Sequence, residues 1–347
     1  MGLGRGIHNV RTVIYTNDEQ FAELQSDWNS LLEKSYATTL FSTWDWLYTW
    51  WSVYRPGELF VVGVYRDDKL IGIAPWYVDS RLTVRGIGCV EVTDYYDLII
   101  DRNHIPEVMQ CFCDVLVQND ELVGLNLCNI PANSPTLQHL TDRLHNSEFL
   151  IQCEQLEVCP VIDLPDTWSE YLQQLDKKQR HEIRRKLRRA SGAMEISHYT
   201  VDGRHHRDLN AELEQFFSLM EASDPQKSVF LDDPENVAFF KAIAKIAYEK
   251  NWLQLDFLKF NDEYVSAYFN FSYRKRLYIY NSGLAYEPYG HLSPGIVLLA
   301  RVIENAIKDD IEVVDFLRGD ETYKYRMGGK DTAVFSLTAA LPSKQGV

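Results

Sequence analysis

Leu277 to Gly329 reads LYIYNSGLAYEPYGHLSPGIVLLARVIENAIKDDIEVVDFLRGDETYKYRMGG. Leu277 to Leu284 reads as a strand. A polar loop with glycine and tyrosine follows. Ser293-Pro294-Gly295 then opens a strongly apolar helix that ends at Lys308-Asp309-Asp310. A second short strand, Ile311 to Leu317, runs into the polar cluster Arg318-Gly319-Asp320-Glu321-Thr322-Tyr323-Lys324. Strand, loop, helix and strand make an α/β unit, and such units bind ligands at the carboxyl ends of their strands.

Working outward, 347 residues suit two domains better than one. A net charge of −15 argues against DNA or an anionic membrane as the main partner. The six cysteines form no CxxC pair and sit in apolar surroundings, which points to buried free thiols rather than a disulfide framework or a metal site. The pair His205-His206 has no metal-like partner spacing. The N-terminus lacks a signal-peptide core, and no apolar run approaches the ~18 residues that cross a bilayer. The expected location is the cytoplasm.

The first half predicts a strand at Thr12 to Tyr15 and a helix from about Glu19 to Glu33. The aromatic segment FSTWDWLYTWW follows, in which Trp44 and its neighbours either pack a core or wall an acceptor groove. A hairpin at Leu59–Tyr65 and Leu70–Tyr77 leads to short strands near Cys89–Val92 and Leu98–Ile100, a helix opened by Pro106 and a strand at Leu122–Leu127. The second half starts with a capped helix at Thr167 and then a basic run, KKQRHEIRRKLRR from Lys177 to Arg189. Two helices flank the charged loop SDPQKSVFLDDPE, and a hairpin precedes the Leu277–Gly329 unit. Both halves therefore contain a hairpin, a strand, a Pro-opened helix and a closing strand, which reads as two copies of one mixed α/β unit. The expected domains are 10–164 and 165–347.

FSTWDWLYTWW, DKKQRHEIRRKLRR, the SPG helix start and DFLRGDETYK, in this order and spacing, carry a resemblance over about residues 12–340. The chain resembles the tandem GNAT-fold acyltransferases and, more closely, the CelD-like (cellulose-biosynthesis-associated) acetyltransferase family. The same architecture occurs in the Fem peptidoglycan aminoacyltransferases. The resemblance implies two GNAT-like domains, each a mixed and mostly antiparallel sheet flanked by helices. It also implies transfer of an acyl group from acyl-CoA to an amine, without a metal. The Q/R-x-x-G-x-G/A phosphate loop of ordinary GNAT domains is replaced here by LAYEPYGHLSPG.

On this reading Ser293, Pro294 and Gly295 begin a helix whose free amides and dipole favour the donor's phosphates, or else they form an ordinary cap in which Ser293 supplies the capping side chain. Asp320 or Glu321 could deprotonate an ammonium acceptor, and Tyr323 or Tyr280 could protonate a departing thiolate. Lys324 or Arg318 could hold an oxyanion or an acceptor carboxylate. The alternative is an ion-paired loop. Asp94, Tyr95 and Asp97 occupy the matching loop of the first half, as acceptor contacts across an inter-domain cleft or as a polar surface loop. The segment Lys177–Arg189 carries +7, leaving −22 for the rest of the chain. Arg180, Arg184 and Arg188 share a helical face, for CoA phosphates, an anionic glycan or lipid, or a tRNA-like donor, unless they are simply solvated.

The expected function is N-acyl transfer from acyl-CoA to a small-molecule amine acceptor: a sugar, a sugar nucleotide or an amino-acid-like molecule. The setting would be envelope or exopolysaccharide metabolism, with the polysaccharide machinery as partner. Two rivals stand beside it. One is a Fem-like transferase using aminoacyl-tRNA; the other is a non-catalytic GNAT-like component of a polysaccharide-synthesis complex.

Overall fold

A computed structural model describes residues 9–89, 92–204 and 207–340. The His205-His206 pair and part of the predicted Cys89–Val92 strand lie outside the described residues. The chain divides into two compact units. One takes in the chain up to Glu157 together with the segment from Ala333 onward, and the other runs from Val158 to Thr332. The closing strand, counted with the second half on sequence, thus lies mostly in the first unit.

The first unit opens with β1 (Val10–Tyr15), α1 (Asp18–Glu23), α2 (Gln25–Leu32) and α3 (Trp44–Tyr54). The single helix expected from Glu19 to Glu33 is in fact two, divided at Leu24. Next come β2 (Glu58–Leu59), β3 (Val61–Arg66), β4 (Lys69–Ala74), β5 (Trp76–Val78), β6 (Thr83–Gly86) and β7 (Ile99–Ile100). The unit continues with α4 (Ile105–Gln118), β8 (Gly124–Pro131), α5 (Pro135–Asn146) and the start of β9 (Leu150–Asp163). β1, β3, β4 and β7 form an antiparallel sheet. β2, β5 and β6 pair antiparallel, whereas β6 runs parallel to β8 across the crossover helix α4. Helix α4 buries Ile105, Val108, Met109, Phe112, Cys113 and Leu116, a stripe at helical spacing. Each of its larger side chains contributes about 1.5–3 kcal/mol of burial.

The second unit holds the end of β9, then α6 (Trp168–Gln174), α7 (Lys177–Ala193), β10 (Ile196–Val201), α8 (Leu209–Ser223), α9 (Pro225–Asp232) and α10 (Pro234–Glu249). β11 (Leu253–Phe260), β12 (Glu263–Tyr273), β13 (Arg276–Leu284), α11 (Pro294–Lys308), β14 (Val313–Asp315) and α12 (Thr322–Arg326) follow, before β15 (Lys330–Ala340). β10 to β13 form an antiparallel run, β13 is parallel to β14, and β14 pairs with the Val161–Asp163 end of β9. β15 lies antiparallel to β8 in the first unit. Both units thus have mixed, mostly antiparallel strand pairing and a Pro-opened crossover helix between two parallel strands, as the repeat in the sequence predicts, but the first unit carries a separate four-stranded antiparallel sheet (β1, β3, β4, β7) besides its mixed one.

Two local expectations differ. SDPQKSVFLDDPE is not a loop but contains α9, which starts at Pro225 and is capped by Asp224 accepting from the Gln226 N–H. The six cysteines are free, but only Cys113 and Cys159 are buried, and Cys153 is exposed on β9. Among the described residues, no helix is long and apolar enough to cross a membrane.

Candidate functional site

In the second unit β13 and β14 pair over only Arg276–Tyr278 and Val313–Asp315. β13 then continues to Leu284, whereas the segment after β14 stays on β9: Phe316 N–H donates to Pro160 (2.9 Å) and Gly319 N–H to Val158 (2.9 Å). The divergence coincides with a β-bulge. On β12, Phe269 pairs with Asn281 and Asn270 with Ile279, so Tyr280 is an extra residue. A bulge bends its strand and increases the local twist, which turns the end of β13 away from β14. The Tyr280 ring rests among Phe240, Phe269 and Phe271, at centroid distances of 5.5, 6.1 and 5.3 Å.

Helix α11 begins where β13 ends. Ser293 is left-handed (φ 55°) and makes no side-chain cap, contrary to the capping expectation; Pro294 takes the first turn. Beside Gly295 there is room: an added Cβ would meet only the Leu284 methyls, at 3.8 Å. The Tyr268 hydroxyl, from β12, donates to the Gly295 carbonyl (3.4 Å). With amides not yet in the helix ladder and the dipole aligned, this end suits an anion.

Beyond β14 the cluster is built around Lys324, which is buried. Its ammonium donates to the carbonyls of Leu317 (3.2 Å), Arg318 (2.6 Å) and Gly319 (3.2 Å) and lies 2.8 Å from Glu321 Oε2. An ammonium has three N–H bonds, so none remains for an oxyanion or an acceptor. Lys324 shapes the turn. Gly319 sits at φ 110°, and an added Cβ would lie 2.4 Å from Glu321 Oε2, so the Glu321 carboxylate folds over it. That carboxylate remains accessible, with 56% side-chain exposure. Asp320 is exposed, and Arg318 is partly buried. The Tyr323 ring meets Phe316 edge-on at 6.1 Å. Burial pushes the Tyr323 hydroxyl well up, with Tyr268 and Glu321 adding to it. Tyr268, whose hydroxyl reaches the Gly295 carbonyl, is thus close enough to Tyr323 on α12 to act on it electrostatically.

Sequence reasoning missed Lys227. It reaches from α9 to β13, where its ammonium donates to the Ser282 carbonyl and to the Ser282 hydroxyl (3.2 Å). Burial pushes its pKa down, opposed by Asp224 and Glu321. The segment read as a loop, and nothing in its pattern marks this lysine.

On α7, Ile183 and Ala190 are buried, while Arg184, Arg185, Arg188 and Arg189 are exposed. Arg185 pairs with Glu182 (2.6 Å), one turn away. The helix packs on α11 and on Gly290–Leu292 before it, so the basic face belongs to the same unit as the α11 start.

The first-unit residues have other roles. Tyr95 is buried against Phe41 (6.0 Å). Asp97 is buried and accepts from Ser134 Oγ (2.8 Å), Thr136 Oγ1 (2.6 Å) and the Leu98 N–H (2.9 Å). Desolvation pushes its carboxyl up to about 6, against the lowering effect of the two hydroxyls. Tyr96 fills the space beside Gly86, where an added Cβ would lie 2.4 Å from its ring. The loop is therefore core where a substrate loop or a polar surface loop was expected, and only Asp94 stays partly exposed. Trp46, Trp50 and Trp51 are core as well. Trp44 is partly exposed, stacked on Tyr48 (4.3 Å) and donating to the Phe21 carbonyl (3.0 Å). Among the described residues, no group of three or more His, Cys, Asp or Glu is placed to hold a metal.

Comparison with known proteins bears on the fold. Residues 177–325 match a family model described as an acetyltransferase (GNAT) domain. FemX superposes with a TM-score of 0.61 at 10% identity, covering 94% of this chain and 96% of its own. L-PGS from Bacillus licheniformis gives 0.57 at 11% identity, covering 91% and 92%. A tandem GNAT protein from the clavulanic acid biosynthesis pathway gives 0.50 at 11%, covering 96% and 99%. No curated protein matches the sequence. The chain has a mixed α/β, GNAT-like fold shared over nearly its whole length with these structures, and at these identities the likeness is one of fold.

Proposed function

We propose that this chain is an N-acyltransferase that takes its acyl group from acyl-CoA, with the donor held in the second unit. The observation that supports this is the parting of β13 from β14 near the Tyr280 bulge, with the end of the parted strand, Leu284, lying against the start of α11. Past the bulge, the edge of β13 that has left β14 would offer backbone groups to an extended, amide-bearing donor arm, except at the Ser282 carbonyl, which Lys227 takes. The first-turn amides of α11 receive its phosphates, and Gly295 leaves room for them.

An acyl thioester supplies an activated carbonyl. Glu321, accessible and held by Lys324, accepts the acceptor's proton directly or through water. Tyr323, on the helix that follows Glu321, donates a proton to the leaving sulfur. The acceptor is an amine on a sugar, sugar nucleotide or amino-acid-like molecule of envelope or exopolysaccharide metabolism, the setting that resemblance to the CelD-like family implies.

Calorimetry with acetyl-CoA and longer acyl-CoAs, followed by a thiol-release assay, tests the reading. Micromolar binding that is lost in Gly295→Trp is the expected result; no binding of any acyl-CoA would sink it. The exposed basic face of α7 favours a second reading, aminoacyl-tRNA as donor. In that case tRNA binds instead, and its affinity falls steeply with salt.

A further inference from the structure

We infer that Lys227 recognises an anionic group on the acceptor, so that the molecule acylated carries a carboxylate or phosphate as well as its amine. This rests on the acyl-transfer reading above and narrows its acceptor.

The two lysines of the site differ in what their ammonium groups have left to give. Lys324 is surrounded by three carbonyls and a carboxylate. Lys227 has two acceptors, both on Ser282, so one N–H is free for a ligand. Among the described residues no carboxylate lies within ion-pair distance of Lys227. Asp224 and Glu321 reach it only as longer-range fields.

A partly buried cation without a counter-charge costs stability. Simple anchoring does not explain it, because α9 buries none of its residues and an apolar side chain could dock the helix without that cost. An arriving anion would offset the cost.

Position fits the same conclusion. Ser282 lies two residues past the Tyr280 bulge, on the part of β13 that has left β14. Glu321 is close enough to act on Lys227 electrostatically. The site therefore presents a cation from α9 and a carboxylate from the turn before α12. An acceptor with a matching pair of charges would place its amine toward Glu321 and its anion toward Lys227. Amino acids and amino-sugar phosphates have that charge pattern, whereas plain amino sugars and alkylamines do not.

The experiment uses two matched pairs of probes, alanine with alaninamide and glucosamine 6-phosphate with glucosamine, titrated calorimetrically into the full chain. The first pair reports a carboxylate and the second a phosphate. At least one anionic member should bind tenfold or more tightly than its neutral partner. Lys227→Met should reduce that preference to less than twofold, and Lys227→Arg should keep most of it. Equal binding within both pairs, or no binding of either anionic probe at millimolar concentration, overturns the inference. So does equal weakening of both members by Lys227→Met, the behaviour of a lysine that merely latches α9 to β13. A bound anionic probe that is never acylated from acetyl-CoA would sink the transfer reading and leave the anion preference standing.

Discussion

Lys324 Nζ lies 2.8 Å from Glu321 Oε2 while the same ammonium donates to three successive carbonyls, Leu317 to Gly319. One buried charge thus holds both the turn after β14 and the carboxylate assigned to base catalysis. Lys324→Met should cost the second unit about 3 kcal/mol, because it strands buried carbonyls. Glu321→Gln should cost less than about 1 kcal/mol, since that side chain is largely exposed. Urea unfolding of both variants measures this. Equal stability of Lys324→Met and the parent would show that the turn holds itself.

Gly295 separates space from stability. The only atoms near an added Cβ are the Leu284 methyls at 3.8 Å. Gly295→Ala should leave unfolding unchanged or raise stability by about 0.5–1 kcal/mol, as expected for alanine replacing glycine in a helix. Gly295→Trp should also fold but lose acyl-CoA affinity at least tenfold. If the tryptophan variant binds acetyl-CoA like the parent, the phosphates do not sit at this helix.

Tyr323→Phe removes a buried hydroxyl and leaves the ring against Phe316. The turnover number should fall roughly 10²-fold, within the range for loss of an acid catalyst, with little change in the KM for acyl-CoA. Steady-state kinetics decide the matter; an unchanged turnover number would remove Tyr323 from the chemistry.

Asp97 gives the first unit a pH dependence of defined sign. Its folded pKa of about 6 lies above the ordinary aspartate value of 3.8. The folded state therefore holds the proton more tightly. Its contribution is fully present below about pH 4, declines as the pH rises to about 6 and is gone above that, a change of about 3 kcal/mol. Asp97→Asn keeps an acceptor for Ser134 and Thr136 and cannot ionise, so its stability profile should lack this decline. Denaturant midpoints between pH 4 and 7 compare the two proteins, and parallel profiles would refute the assignment.

The legible and illegible parts of this chain differ in range. The crossover helices could be read because Pro106 and Pro294 mark their starts and their apolar stripes repeat at helical spacing. The hairpins could be read from apolar, β-rich runs on either side of short charged turns. The Tyr280 bulge could not, because it exists only as a mismatch of register between β12 and β13. Helix α9 has no buried residue and hence no periodicity, so Lys227 passed as a loop charge. Thr93 to Asp97 looked like a substrate loop because of its polar atoms. Those atoms are satisfied from far along the chain: the Thr93 hydroxyl by Trp46, its carbonyl by Asn129, and Asp97 by Ser134 and Thr136. Long-range partners of that kind leave no local signal.

The extra residue at Tyr280 also bears on how readily such a site can be lost. Side chains on a strand alternate, so removing one residue between Ile279 and Asn281 would restore an unbroken alternation with β12 and let β13 keep its course along β14. A single in-frame codon deletion could therefore erase the opening while leaving most of the core in place. In the first unit β6 pairs with β5 without such a register shift, and the Tyr96 ring lies against the last residue of β6, Gly86. Counting residues in this one strand would sort open copies of the unit from closed ones before any assay is run.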